Sequence, residues 1–415
     1  MQPWMKPGLM GAGAVLIAMA QPAAADTTLN ALFMKQAAYS DDDIKSMTAD
    51  FEKSHPGLRV TLELVPFEAL HDKIVATNGA GAEGYDVVLF DVTWPAEFAK
   101  HGFLKDVTDR IPADLVGQVF DGAWSTVTTG ERRWGMPWIL DTKYLFYNKA
   151  MLAKAGIAAP PRTWAELADD AQRIKDKGIV PYPIVWSWSQ AEALVVDYSA
   201  ITAAYGGGYG ENGKFAFDQG APLAALTYMK STLDRGLSNP NSTEYLEEDV
   251  RTVFSNGDAA FALNWTFMYG LANDPKESKI VGQVGIVPAP GIEGKAAVSA
   301  PNGSMGLGIA AHSAHADEAW SYIQYLTSRP VQDKYAKLSL PIWKASYDDP
   351  AIARGQEDLI AAARLALPEL SPRPVTASYQ ELSAILQKAL QQALLGQATP
   401  EAALHRATDA AARLR

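Results

Sequence analysis

The chain has 415 residues, no cysteine, and 47 acidic against 36 basic side chains, a net charge of −11. Lack of cysteine excludes structural disulfides, thiol catalysis, cysteine-held zinc and a lipid-modified N-terminal cysteine. The acidic balance argues against nucleic acid or an anionic membrane surface as partner. At this length the chain can bury a core large enough for two domains.

Lys6 and the free amino terminus precede an apolar run, Gly8–Ala20, and small residues, Ala23–Ala25. That order predicts a secretory signal peptide over residues 1–25, cleaved before Asp26. The run falls short of the ~20 residues of a membrane-spanning helix. Leu29–Met34 predicts a strand. Ser40 with Asp43 forms a capping-box pattern, and Ile44, Met47 and Phe51 share one face of the helix that follows. His55-Pro56-Gly57 ends it. Val60, Leu62 and Leu64 alternate with polar residues, so 58–65 predicts a half-buried strand. Asp86–Phe90 is a continuous apolar run suited to a strand covered on both faces.

Thr163 and Glu166 predict a second capped helix, ended at Gly178. Gly206–Gly210 reads as a loop. A further helix is predicted over Ala316–Ser328, closed by Arg329-Pro330. The last 60 or so residues read as helices. Leu382, Ile385, Leu386 and Ala389 make one apolar stripe there, and Thr399-Pro400-Glu401 is a helix start. Strand–helix alternation followed by terminal helices predicts an α/β protein.

Five ordered segments resemble one family. They are Phe51–Gly57 (FEKSHPG) with its following strand; Tyr85–Asp91 (YDVVLFD) with Glu97-Phe98-Ala99; Trp134–Pro137, Leu145–Lys149 and Pro160–Leu167; Phe254–Phe261 (FSNGDAAF); and Glu318-Ala319-Trp320 with Leu326-Thr327-Ser328. Together they are similar to the extracellular solute-binding proteins of family 1, the maltose-binding-protein-like subunits of ABC sugar importers. One departure is Asn302-Gly303, where many relatives carry Gly-Gly.

The resemblance implies a two-lobe periplasmic-binding-protein (Venus flytrap) fold. It places three crossings, near Trp138–Leu140, Ser299–Asn302 and Pro341–Trp343, with extra C-terminal helices. The N-terminal lobe would be 26–138 plus 301–342, and the C-terminal lobe 139–300 plus 343–415. It implies a periplasmic monomer that hands a sugar or polyol, an acidic sugar included, to ABC permease subunits driven by a cytoplasmic ATPase. No cofactor, metal or nucleic acid is expected.

Sugars need directional polar groups for their hydroxyls and flat apolar surface for their C–H faces. Asp91 and Trp94 follow the buried strand, and Asp141 follows the first crossing. Gln36, Tyr39 and Ser40 lie where the first strand meets a helix N-terminus. Trp186 and Trp188 form an aromatic cluster, one of whose rings is expected to face the cleft. Trp265 sits where relatives stack an aromatic on the sugar. Asn302, Gly303 and Trp343 lie at the later crossings. Arg373, between Pro372 and Pro374, offers a forked donor for hydroxyls or an acidic group.

Two other readings stay open. Asp91 and Asp141 could form a glycosidase carboxylate pair, although no Gly-x-Ser-x-Gly or His-Glu-x-x-His pattern is present. His312 and His315 are the only close histidine pair and read as solvated residues at a helix entry. A ligand sensor presenting its closed form to a receptor is the third reading.

Overall fold

The computed structural model describes residues 1, 27–35, 38–79, 84–211, 214–337 and 339–414. Residues 2–25 of the expected signal peptide, and the candidate Gln36, lie outside them. Among the described residues no helix is long and apolar enough to cross a membrane.

The strands in chain order begin with β1 (Thr27–Met34), β2 (Leu58–Val65) and β3 (Val87–Asp91). A small hairpin, β4 (Thr128–Thr129) and β5 (Arg132–Arg133), leads to β6 (Met136–Ile139). Next come β7 (Tyr144–Asn148), β8 (Ile184–Val185) and a second hairpin, β9 (Gly210–Glu211) and β10 (Lys214–Phe215). Last are β11 (Phe261–Asn264), β12 (Val284–Ile292), β13 (Ala296–Ser299) and β14 (Met305–Ile309). They make two five-stranded sheets, ordered β2-β1-β3-β14-β6 and β13-β12-β7-β11-β8. This is the two-lobe α/β fold.

Local signals account for much of this. In the first capped helix, Asp41–Ser54, the Ser40 and Asp43 side chains bond reciprocally to backbone amides. Thr163 and Glu166 do the same for Trp164–Asp176. Thr399 caps Pro400–Ala411 by accepting from the Ala402 amide. Every residue of β3 is buried, as a continuous apolar strand covered on both faces must be. One boundary differs. Arg329-Pro330 does not simply close the helix Ala316–Thr327; it opens another, Arg329–Lys334. Proline fits the first turn because its missing N–H has no intrahelical partner there.

Strand directions fix where a site can form. β1, β2 and β3 run parallel, and β6 shares their direction because both β3 and β6 pair antiparallel with β14. Their carboxyl ends, Met34, Val65, Asp91 and Ile139, and the start of β14 therefore lie along one edge of the first sheet. In the second sheet the end of β11 meets the start of β7, Asn264 against Tyr144, and β8 ends on the same side. Open α/β sheets bind ligands outside such strand ends.

The chain passes from the first sheet to the second between Ile139 and Tyr144, and returns between Ser299 and Met305. These passages lie together: Thr142 Oγ1 donates to the Pro301 carbonyl at 2.9 Å. Leu340 bridges Leu140, and Ser371 bridges Pro301. Around Trp343 the chain still pairs with Val119. It meets the second sheet at the helix Glu357–Ala366, which packs on β12. The helices Tyr379–Leu394 and Pro400–Ala411 then pack on one another and on helices of the second lobe.

Candidate functional site

Asp91 is buried at the end of β3. Its Oδ1 accepts from the Thr93 amide at 2.9 Å, from Thr93 Oγ1 at 2.7 Å and from Arg373 Nη2 at 2.8 Å. Arg373 is buried too, and its Nη1 donates to Glu192 Oε1 at 2.6 Å. Trp94 is buried against Phe67, with ring centroids 5.7 Å apart. Between Phe67, Glu68, Thr93 and Trp94 on one side, and Gln190, Ala191, Glu192, Tyr379, Gln380 and Gln387 on the other, lies a cavity of about 210 Å³. Ordinary small-molecule pockets hold roughly 300–1,000 Å³, so this one is narrow. Glu68 and Glu192 are the charged side chains of its lining, and among the described residues no Lys, Arg or His contributes to it.

At the other strand ends, Asp141 is buried just beyond β6. Its Oδ2 accepts from Thr266 Oγ1 at 2.8 Å and its Oδ1 from the Thr142 amide at 2.8 Å. Burial pushes its carboxyl up to about 7, against the pull of those bonds and of Lys143. Trp265, which follows β11, is half-buried. Its Nε1 donates to Glu247 Oε1 at 3.2 Å, and the Lys143 ammonium lies 4.8 Å from its ring centroid. Gly303 sits against that ring so closely that an added Cβ would come within 2.1 Å of Cζ3. No larger residue fits there without displacing the indole.

The remaining candidates are engaged elsewhere. Trp186 and Trp188 are both fully buried and stack on one another, with centroids 4.8 Å apart, and Trp186 Nε1 donates to Ser238 Oγ at 2.7 Å. The expectation that one of them faces the cleft is not met. Residues two apart on an extended chain point to one face, so the pair goes into the core together. Tyr39 is buried against Trp138, centroids 4.9 Å apart. Ser40 is occupied as a helix cap. The Asn302 amide donates to the Gly122 carbonyl and Ser125 Oγ and accepts from the Ser304 amide, which ties down the second passage. Trp343 donates to the Thr327 carbonyl at 2.9 Å. Asp91, Trp94, Asp141, Trp265, Gly303 and Arg373 are thus the candidates placed at the facing strand ends.

Sequence reasoning missed Lys143, Glu192 and Glu247. Lys143 is fully buried, with Nζ 3.3 Å from Asp197 Oδ1 and 3.6 Å from Glu247 Oε1. A lysine at the mouth of an apolar strand, two residues beyond a buried aspartate, was the available signal. Glu192 begins a helix, Glu192–Ala204, that is buried nearly all round; an acid opening such a run was the available signal. His312 and His315 border a separate cavity of about 390 Å³ at the opposite end of the first sheet, beside Asn30 and Asp86. Among the described residues no group of three or more His, Cys, Asp or Glu could hold a metal ion.

The family pattern of the bacterial extracellular solute-binding proteins matches residues 25–333. A probable ABC transporter-binding protein of Deinococcus radiodurans is 32% identical over 290 residues, which is 68% of this chain and 65% of that one. Maltose-bound MalE3 of T. maritima superposes with a TM-score of 0.85 at 30% identity, covering 92% of this chain and 98% of its own. An ABC transporter solute-binding protein of Thermotoga lettingae, bound with α-D-tagatose, gives 0.83 at 28% identity over 93% and 99%. A chain of this fold, matched over most of its length, belongs to the bacterial extracellular solute-binding protein family.

Proposed function

We propose that the chain captures a neutral sugar or polyol between its lobes and delivers it to the permease of an ABC importer. The observation that carries this reading is a narrow cavity rich in polar side chains, lined by residues of both lobes at the strand ends; a half-buried indole, Trp265, stands at the end of β11. Trp265, fixed by Glu247 and Gly303, offers flat apolar surface. Gln190, Gln380, Gln387, Glu68 and Glu192 offer direction to hydroxyls. The maltose- and tagatose-bound neighbours support a polyhydroxylated ligand. The lining disfavours an acidic sugar, since among the described residues it holds Glu68 and Glu192 and no Lys, Arg or His.

In this reading the chain binds without turnover. Asp91, one of the two carboxylates a glycosidase pair would need, is committed to Arg373. The protein works as a periplasmic monomer once residues 1–25 are removed. A thermal-shift panel of neutral sugars, polyols and sugar acids tests the ligand class, because a ligand of the native state raises its apparent stability. Titration calorimetry of Trp265→Ala with the best binder should show affinity lower by roughly tenfold or more, about 1.4 kcal/mol. Unchanged affinity would remove Trp265 from the site, and selective stabilisation by sugar acids would overturn the neutral-ligand reading.

A further inference from the structure

Arg373 stands between two prolines, which stiffen the backbone on either side of it. Two residues earlier, Ser371 is bonded to the return passage through Ala300 and Asn302, at 2.7 and 2.8 Å. The guanidinium is thus held beside the hinge. One of its nitrogens reaches Asp91, which ends β3 of the first sheet, at 2.8 Å; another reaches Glu192 at 2.6 Å. Glu192 opens the helix Glu192–Ala204, which packs on β12 and β13 of the second sheet. One planar fork therefore joins a carboxylate from each lobe.

We propose that Asp91, Arg373 and Glu192 form an interlobe clasp, with Arg373 the positioning residue that sets the balance between closed and open lobes. Only the consequence for affinity rests on the sugar-capture reading. Every bond of the clasp is made by the chain itself. Glu192 also accepts from Tyr379 and Ser383, both on the helix Tyr379–Leu394, which packs on the helix that Glu192 opens. That half of the triad stays within one lobe. The Arg373–Asp91 bond is the one that parts when the lobes part.

The energetics suit a reversible contact. Attraction in a buried ion pair is largely offset by the cost of removing both charges from water. Opening rehydrates Asp91 and one edge of the guanidinium, so the net preference for closure is modest. Without the arginine, Asp91 and Glu192 would be like charges across the cleft, and closure would carry a penalty. A ligand then shifts a population that already contains the closed form, and apparent affinity scales with its fraction.

The test is small-angle X-ray scattering of the mature protein without ligand. The parent is compared with Asp91→Asn, Arg373→Met, Arg373→Lys and the double variant Asp91→Asn/Arg373→Met. Asparagine keeps the shape of Asp91 and an acceptor for Thr93. Asp91→Asn and Arg373→Met should each expand the particle, Arg373→Met the more because it leaves two facing carboxylates, and the double variant should expand it by less than the sum of the two, as coupled partners do. Arg373→Lys, with a single ammonium, should fall between parent and Met variant. A closed fraction reduced tenfold lowers affinity about tenfold. Circular dichroism checks folding, and if Arg373→Met fails to fold, Asp91→Asn decides alone. Parent and folded variants with superimposable scattering would overturn the clasp, whatever happens to affinity. If no sugar binds, the function reading fails while the scattering still decides the clasp.

Discussion

Lys143 and Asp141 are two residues apart, and both are buried where the chain leaves the first sheet. Lys143 neutralises Asp197, whose carboxyl burial pushes up to about 6, and it underlies the Trp265 ring at 4.8 Å. The ammonium is therefore positioned to fix the indole and is occupied before any ligand arrives. Among the described residues Asp141 has no such direct ion pair, and its raised value has a consequence for stability. The folded protein holds this proton up to about pH 7, whereas the unfolded chain releases it near the ordinary aspartate value of 3.8. Between those values the native state binds more protons, so this group's contribution to stability is present below the unfolded value and is lost as pH rises. Asp141→Asn does not titrate. Relative to the parent it should gain stability as pH rises from ~4 to ~7, by at most about 1.4 kcal/mol for each pH step of one. Urea unfolding at several pH values measures this. A difference independent of pH would remove Asp141 as the source.

At the scale of single elements, stability is local and can be changed without touching the cleft. The Thr163–Glu166 box satisfies two orphan amides of the helix Trp164–Asp176. Thr163→Ala should cost ~1 kcal/mol of stability and leave ligand affinity unchanged; a shift in affinity would link this helix to the site. Such elements were legible in the sequence because their signals are short-range: a cap, an acid three residues on, an apolar face. The strand Leu58–Val65 could be read for the same reason, as alternation needs no partner to be recognised. The candidate site was legible only as a set of strand ends. The partners that hold Asp91, Arg373 and Trp265 come from 282, 181 and 18 residues away, through pairs that no periodicity encodes. The tryptophan pair fails for a related reason. β8 is two residues long, too short for sequence to say which side of it is core, and the answer came from Ser238 and a buried helix.

Across the whole molecule the two lobes are not independent. One hydrophobic cluster runs from Leu29 and Phe90 of the first lobe through Trp138, Leu340 and Ile342 to Phe146, Phe254 and Ile286 of the second. Cooperative loss of such a continuous core should give a single endotherm in differential scanning calorimetry. Two well-separated endotherms in the parent protein would contradict this. The topology has one more consequence, for the order of assembly. β14 lies inside the first sheet, pairing with Val87–Asp91 on one side and with β6 on the other, yet it enters the chain more than 200 residues after β3. A chain emerging amino end first must keep β3 unpaired on that edge until about three-quarters of its length is available. Contacts of such long sequence separation are slow to form, because the entropy of closing the loop is spent before the contact stabilises anything. The first lobe therefore stays unfinished until about three-quarters of the chain has been made.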